Sequence, residues 1–142
     1  MTPEQLESVR RTAAGAELAY DKCASCFYNE LFDRYPPARA LFADDVIAQR
    51  GTFVDKLLAL VASADDLPGF LAQAHTLGLR LQRQGIHVAD YAFVGEALIA
   101  AIAAAIGERW TDLADASWRR MYALVADAML EGAEEGLFRL SD

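Results

Sequence analysis

FLAQAHTLGLRLQRQGIHVADYAFVG, residues 70–95, combines an amphipathic helix, a glycine corner and the start of a strongly apolar helix. Leu71, Ala74, Leu77 and Leu81 keep the three- and four-residue spacing of one helix face, and they define its expected inward stripe. Upstream, Asp66-Leu67-Pro68 is a helix opening, with a capping carboxylate and a proline suited to the first turn. Gly85 supplies the corner that closes that helix. From Val88 to Ile106 the chain is apolar nearly all round, which predicts a helix central to the core.

Outward from this stretch the pattern stays helical. Thr2, Pro3 and Gln5 form the signature of a capping box. Leu6, Val9, Ala13, Ala16 and Tyr20 then keep helical spacing. A second helix is predicted over about Asp21–Arg34, with Cys26, Phe27, Leu31 and Phe32 apolar. Pro36-Pro37 forces a corner, because each proline constrains the residue before it. A short turn, ARALF, follows. A third long helix is predicted from about Val46 to Ala62, with Val46, Gln49, Phe53, Leu57 and Leu60 on one face. Gly107 ends the central helix, and Thr111 and Asp112 cap a last one running to about Phe138. Its buried stripe is Trp118, Met121, Tyr122, Val125 and Met129. Hardly any stretch alternates as a half-buried strand would. Six or seven helices joined by short corners make an all-α, bundle-like fold.

The bulk numbers agree. The 142 residues suit one domain, spanning 1–142, with 54% hydrophobic and 24% charged residues. The net charge of −8 argues against nucleic acid or an anionic membrane surface as partner, since both call for a basic patch. The opening MTPEQLESVRR lacks the apolar core of a signal peptide. The run Ala97–Ile106 is too short to span a bilayer, and Glu96 precedes it. A soluble, cytoplasmic protein is the expectation. There is no glycine-rich phosphate loop, no assembled Ser-His-Asp set and no metal-spaced histidine pair, so a non-enzymatic role is expected.

Five segments together carry a family resemblance. FYNELFDRYPPARALF, residues 27–42, resembles the second and third helices of single-domain bacterial globins and of the globin part of flavohaemoglobins. DDVIAQRGTFVDKLLALV, residues 44–61, resembles the distal helix of that family. LGLRLQRQGIHVADYAFVGEAL, residues 77–98, resembles the proximal helix and the start of the next. ASWRRMYALVADAML, residues 116–130, resembles the last helix. The match runs in order from about Phe27 to Leu130, and it implies a globin fold with a three-over-three helix arrangement.

Carried over residue by residue, the resemblance implies a tetrapyrrole pocket. Phe42 is the corner phenylalanine that stacks on the ring. Tyr28 and Gln49 are the distal hydrogen-bonding pair, and Phe53, four residues beyond Gln49, closes the distal ceiling. Leu77, Tyr91 and Val94 line the proximal side. The motif Leu-Gly-x-Arg-His of the family reads Leu77-Gly78-Leu79-Arg80-Leu81, so Leu81 stands at the place of the proximal histidine. Ala133, with Glu134 beside it, stands where the family has the acid that pairs with the proximal tyrosine.

A leucine has no lone pair and cannot ligate iron. The two histidines, His75 and His87, each lie six residues from Leu81, about 120° around a helix axis. His75 is expected on the helix flank and His87 at the corner near the pocket rim, as a surface residue, a contact to ligand carboxylates or a replacement axial ligand. Cys23-x-x-Cys26 has no second pair for a zinc site and lies mid-helix. Ordinary buried thiols are expected, with thioether attachment of a ligand as the alternative. Arg50, Arg80 and Arg83 are expected in solvent, or paired with propionates at a rim.

Three functions follow. The first is a tetrapyrrole pocket kept without its iron bond, suited to a linear tetrapyrrole (bilin) or weakly ligated haem; phycobiliproteins show that a globin-like scaffold holds bilins. The second is a haem globin for O₂ or NO using His87, His75 or water. The third is a haemless sensor or interaction module, like globin-like domains that hold fatty acids or nothing. A small molecule is the expected partner; the sequence leaves a homodimer or a signalling partner open.

Overall fold

The computed structural model describes residues 2–42, 53–62 and 66–141, with the side chains of Phe53, Val54, Leu67 and those beyond Glu134 excepted. Among these residues there are seven α-helices and no strand. They are α1 (Pro3–Leu18), α2 (Tyr20–Arg34), α3 (Ala38–Leu41), α4 (Phe53–Ala62), α5 (Leu67–Gln84), α6 (Tyr91–Ile106) and α7 (Asp112–Ser141). The expected starting turns of the third long helix, with Val46, Gln49 and Arg50, lie outside the described residues.

The helix boundaries follow from local chemistry. At α1 the Gln5 N–H donates to Thr2 Oγ1 at 3.1 Å, and the Thr2 N–H donates to Gln5 Oε1 at 3.0 Å, a complete capping box. α1 and α2 are separated only by Ala19. Tyr20 therefore opens α2 and does not extend the α1 stripe, although it is buried as expected. α2 stops at Tyr35, which leaves the helical region at φ −141° and ψ 82° in front of Pro36.

α5 closes in a Schellman motif. Gly85 is left-handed at φ 93°, its N–H donating to Gln82 O, while the Ile86 N–H reaches Leu81 O at 2.9 Å. Residues Val88–Asp90, expected to be the first turn of the central helix, form a 3₁₀ turn instead. The Asp90 carboxylate accepts the His87 N–H at 3.2 Å and satisfies the turn's first donor. At the far end Gly107 turns the chain at φ 61°, and Thr111 Oγ1 accepts the Ala114 N–H to cap α7.

The helices form one core. α5 lies along α7, α2 along α6, and α1 against α7, α6 and α4. Three crossings show how closely. An ideal Cβ on Gly78 would stand 1.9 Å from Met129 O, and one on Gly132 would stand 2.0 Å from His75 O. α5 and α7 thus touch backbone to backbone at a glycine from each, an approach no side chain permits. At Gly95 the Tyr122 ring takes the space a Cβ would need. That ring is held because the Tyr122 hydroxyl donates to Tyr91 O at 2.7 Å. Between α1 and α7, the buried Trp118 Nε1–H donates to Thr12 Oγ1 at 2.7 Å.

With its flanking turns, α6 makes a 22-residue segment, Val88–Arg109, of mean hydropathy 1.7 in its most apolar window. That is long and apolar enough to cross a bilayer, unlike the shorter run judged from sequence. Half of that window is buried inside the fold, as in a core helix.

Candidate functional site

The side chains that the resemblance placed around a ligand come from four elements. α2 presents Tyr28, the turn after α3 presents Phe42, α5 presents Leu77 and Leu81, and α6 presents Tyr91 and Val94. All six are buried in one continuous cluster. Tyr28 sits among aromatic rings, edge-on to Phe27 at 4.9 Å between centroids, tilted to Phe32 at 6.0 Å and to Phe42 at 6.1 Å. This wall exists because Phe27, Tyr28, Leu31 and Phe32 recur on one face of α2, and Pro36-Pro37 folds α3 back so that Phe42 joins them. Gln49 lies outside the described residues. Phe53 is the first residue of α4, and its side chain is likewise not described.

On α5 the inward stripe differs from expectation in one member. Leu71 is 45% exposed, while Phe70 is buried. The stripe is Phe70, Ala74, Leu77 and Leu81, with Gln84 continuing the same face three residues on. Phe70 and Leu71 both border the inward face at its first turn, and it is Phe70 that the core takes in. Leu81 is fully buried.

Gln84 escaped the sequence reading, though its i+7 spacing from Leu77 was a usable signal. Its Nε2 donates to Leu41 O at 3.3 Å, tying α5 to the α3 corner. Its Oε1 is buried and has no partner among the described residues, and the same is true of the Tyr91 hydroxyl. Burial pushes the Tyr91 phenol above its ordinary pKa, so it stays protonated and is a donor in search of an acceptor. The Tyr122 phenol is raised too, first by burial and then by Tyr91 beside it.

Neither histidine is at the stripe. His87 is exposed at the α5–α6 corner. His75 is half-buried on α5 and already engaged in an interaction. No group of three or more His, Cys, Asp or Glu among the described residues could hold a metal ion. Cys23 is buried, as expected, and burial followed by the neighbouring Cys26 and Glu17 pushes its thiol up to about 12. Cys26 is only half-buried, its Sγ 4.0 Å from Ala100 O on α6. A cleft of about 410 Å³ opens between α4 and α5, lined by Lys56, Ala59, Ala72, Gln73, Thr76 and Leu77. Leu77 is where this cleft reaches the buried stripe.

Within this apolar cluster the Tyr91 hydroxyl and Gln84 Oε1 are the buried polar atoms without a described partner. Leu81 provides no donor atom to a metal from α5.

The Globin family model matches residues 25–129. A flavohemoprotein of Bacillus subtilis (strain 168) is 22% identical over 140 residues, covering 96% of this chain and 35% of the relative. Neuroglobins of Dissostichus mawsoni and Chaenocephalus aceratus are each 31% identical over 74 residues, covering 52% of this chain and 46% of the relative. The chain thus spans about a third of the flavohemoprotein and under half of each neuroglobin. The matched span takes in most of α2, all of α3 to α6 and the first part of α7, with Tyr28, Phe42, Leu77, Leu81, Tyr91 and Val94 inside it, and the chain belongs to the globin family.

Proposed function

We propose that this globin domain binds a tetrapyrrole without a proximal iron bond, and that its ligand is a linear tetrapyrrole. The buried Tyr91 hydroxyl without a described partner, in the same buried cluster as Leu81, carries the reading. A bilin offers lactam carbonyls and pyrrole N–H groups that a protonated phenol and a glutamine amide can meet. It needs no axial ligand. The aromatic wall of Tyr28 and Phe42 supplies stacking area. Gln49 and Phe53 would complete the distal side. We place the protein in the cytoplasm, where the two free thiols remain reduced.

The name of the flavohemoprotein relative favours a second reading, a haem globin with His87 or water as axial group. Adding haemin and then biliverdin to the purified protein separates the two. A red-shifted, sharpened bilin band supports the proposal. A Soret band with five- or six-coordinate features that His87→Ala abolishes supports haem instead. No spectral response to either pigment would point to a haemless module and overturn both. Leu81→His should create ordinary ferrous-haem ligation; an unchanged haem spectrum would mean that Leu81 is not the proximal position.

A further inference from the structure

A second cavity, of about 400 Å³, lies away from the tetrapyrrole site, between α1, the Gly107–Arg109 turn and the start of α7. Arg11 and Arg109 line it together. Neither guanidinium takes part in an ion pair or hydrogen bond among the described residues. No acidic residue is among the described lining residues; Glu108 and Asp112, neighbours in sequence, are exposed.

The fold brings both arginines to the lining of one cavity. Gly15 leaves room for the turn to lie against α1, an ideal Cβ there standing 3.1 Å from Ile106 Cγ2 and 3.4 Å from Arg109 Nη2. Arg11 is one helical turn before Gly15, so both guanidiniums stand over the same stretch of α1. Ser8, only 7% exposed, also lines the cavity. Its carbonyl accepts from Thr12 Oγ1, while its hydroxyl takes part in none of the described hydrogen bonds. Thr12 is fully used, donating to α1 carbonyls and accepting from Trp118. Ile106 and Leu113 make the remaining wall apolar.

We propose that this cavity is a binding site for a small amphiphilic phosphate, its oxyanion between Arg11, Arg109 and the Ser8 hydroxyl and its apolar body on Ile106 and Leu113. Two forked guanidiniums match the several oxygens of a phosphate, and charge-assisted bonds of this kind are the strong ones. The volume is within the range of small-molecule sites.

Hexyl phosphate and inorganic phosphate, each titrated into the ¹⁵N-labelled protein, provide the test. Hexyl phosphate should bind more tightly than inorganic phosphate, shift the amides of Ser8, Thr12 and Arg109, and weaken as salt is added. Arg11→Gln and Arg109→Gln should each weaken it about tenfold or more, whereas Arg120→Gln on the exposed face of α7 should leave it unchanged. Arg11 is exposed, so its variant reports on binding even if Arg109→Gln disturbs packing against Gly15. Absence of saturable shifts, shifts confined to other arginines, or equal affinity in Arg11→Gln would overturn the proposal.

Discussion

Gly78 on α5 meets the backbone of Met129 on α7 so closely that an added Cβ would stand 1.9 Å from the Met129 carbonyl oxygen. This contact sets how closely α5 lies on α7. Gly78→Ala should force the helices apart and destabilise by about 3 kcal/mol or more, at the upper end of overpacking effects because backbone cannot change rotamer. Gly132→Ala, at the partner crossing against His75 O, should do the same. Urea unfolding monitored by helix content measures both. Loss of less than about 1 kcal/mol at each would mean that α5 and α7 cross more loosely than described.

Tyr91→Phe separates folding from binding. The hydroxyl is buried without a described partner, so removing it should leave the ligand-free protein equally stable or more stable by about 1 kcal/mol. Tetrapyrrole affinity should fall about tenfold if that hydroxyl bonds the ligand. Thermal unfolding and pigment titration on the same variant give the two numbers, and a variant that binds as well as the parent would remove Tyr91 from the site.

Thr12→Val tests the polar bond between α1 and α7. The substitution keeps the shape but leaves the buried Trp118 Nε1–H without its acceptor at 2.7 Å. We expect a loss of about 1–3 kcal/mol, visible as an earlier urea midpoint together with a shift in tryptophan fluorescence.

The two thiols should differ in reactivity. Cys26 is half-buried and Cys23 fully so, so iodoacetamide should label Cys26 first and Cys23 only on unfolding. The pH dependence has a definite sign. Burial raises the folded-state pKa of Cys23 from 9.0 to about 12, so its contribution to stability is complete below pH 9.0. Above that, the unfolded chain releases the proton while the folded chain keeps it, and stability falls until about pH 12. Cys23→Ala should flatten the fall between pH 9 and 10.5, measured by urea midpoint.

Much of this molecule is written in local sequence. The capping box at Thr2, the stop at Pro36-Pro37, the left-handed corner at Gly85 and the cap at Thr111 each depend on residues a few positions apart. The order of motifs from Phe27 to Leu130 pointed to the globin family, and the family match over residues 25–129 agrees with it. The presence of Leu81, and not histidine, in the α5 stripe needs no coordinates.

What the sequence left undecided depends on helices meeting. The stripe on α5 begins at Phe70 and not Leu71, since both apolar neighbours fit the helical period and only packing shows which of them is buried. Gln84 reads as one more polar residue near a helix end until Leu41 is brought against it. Arg11 and Arg109 are 98 positions apart in the chain, and only the packing of the Gly107–Arg109 turn on Gly15 places them in one cavity. Helix propensity, capping and amphipathicity act over a few residues and can be read along the chain. Close approach, orphaned polar atoms and shared cavities arise between distant segments, and tertiary packing alone decides them.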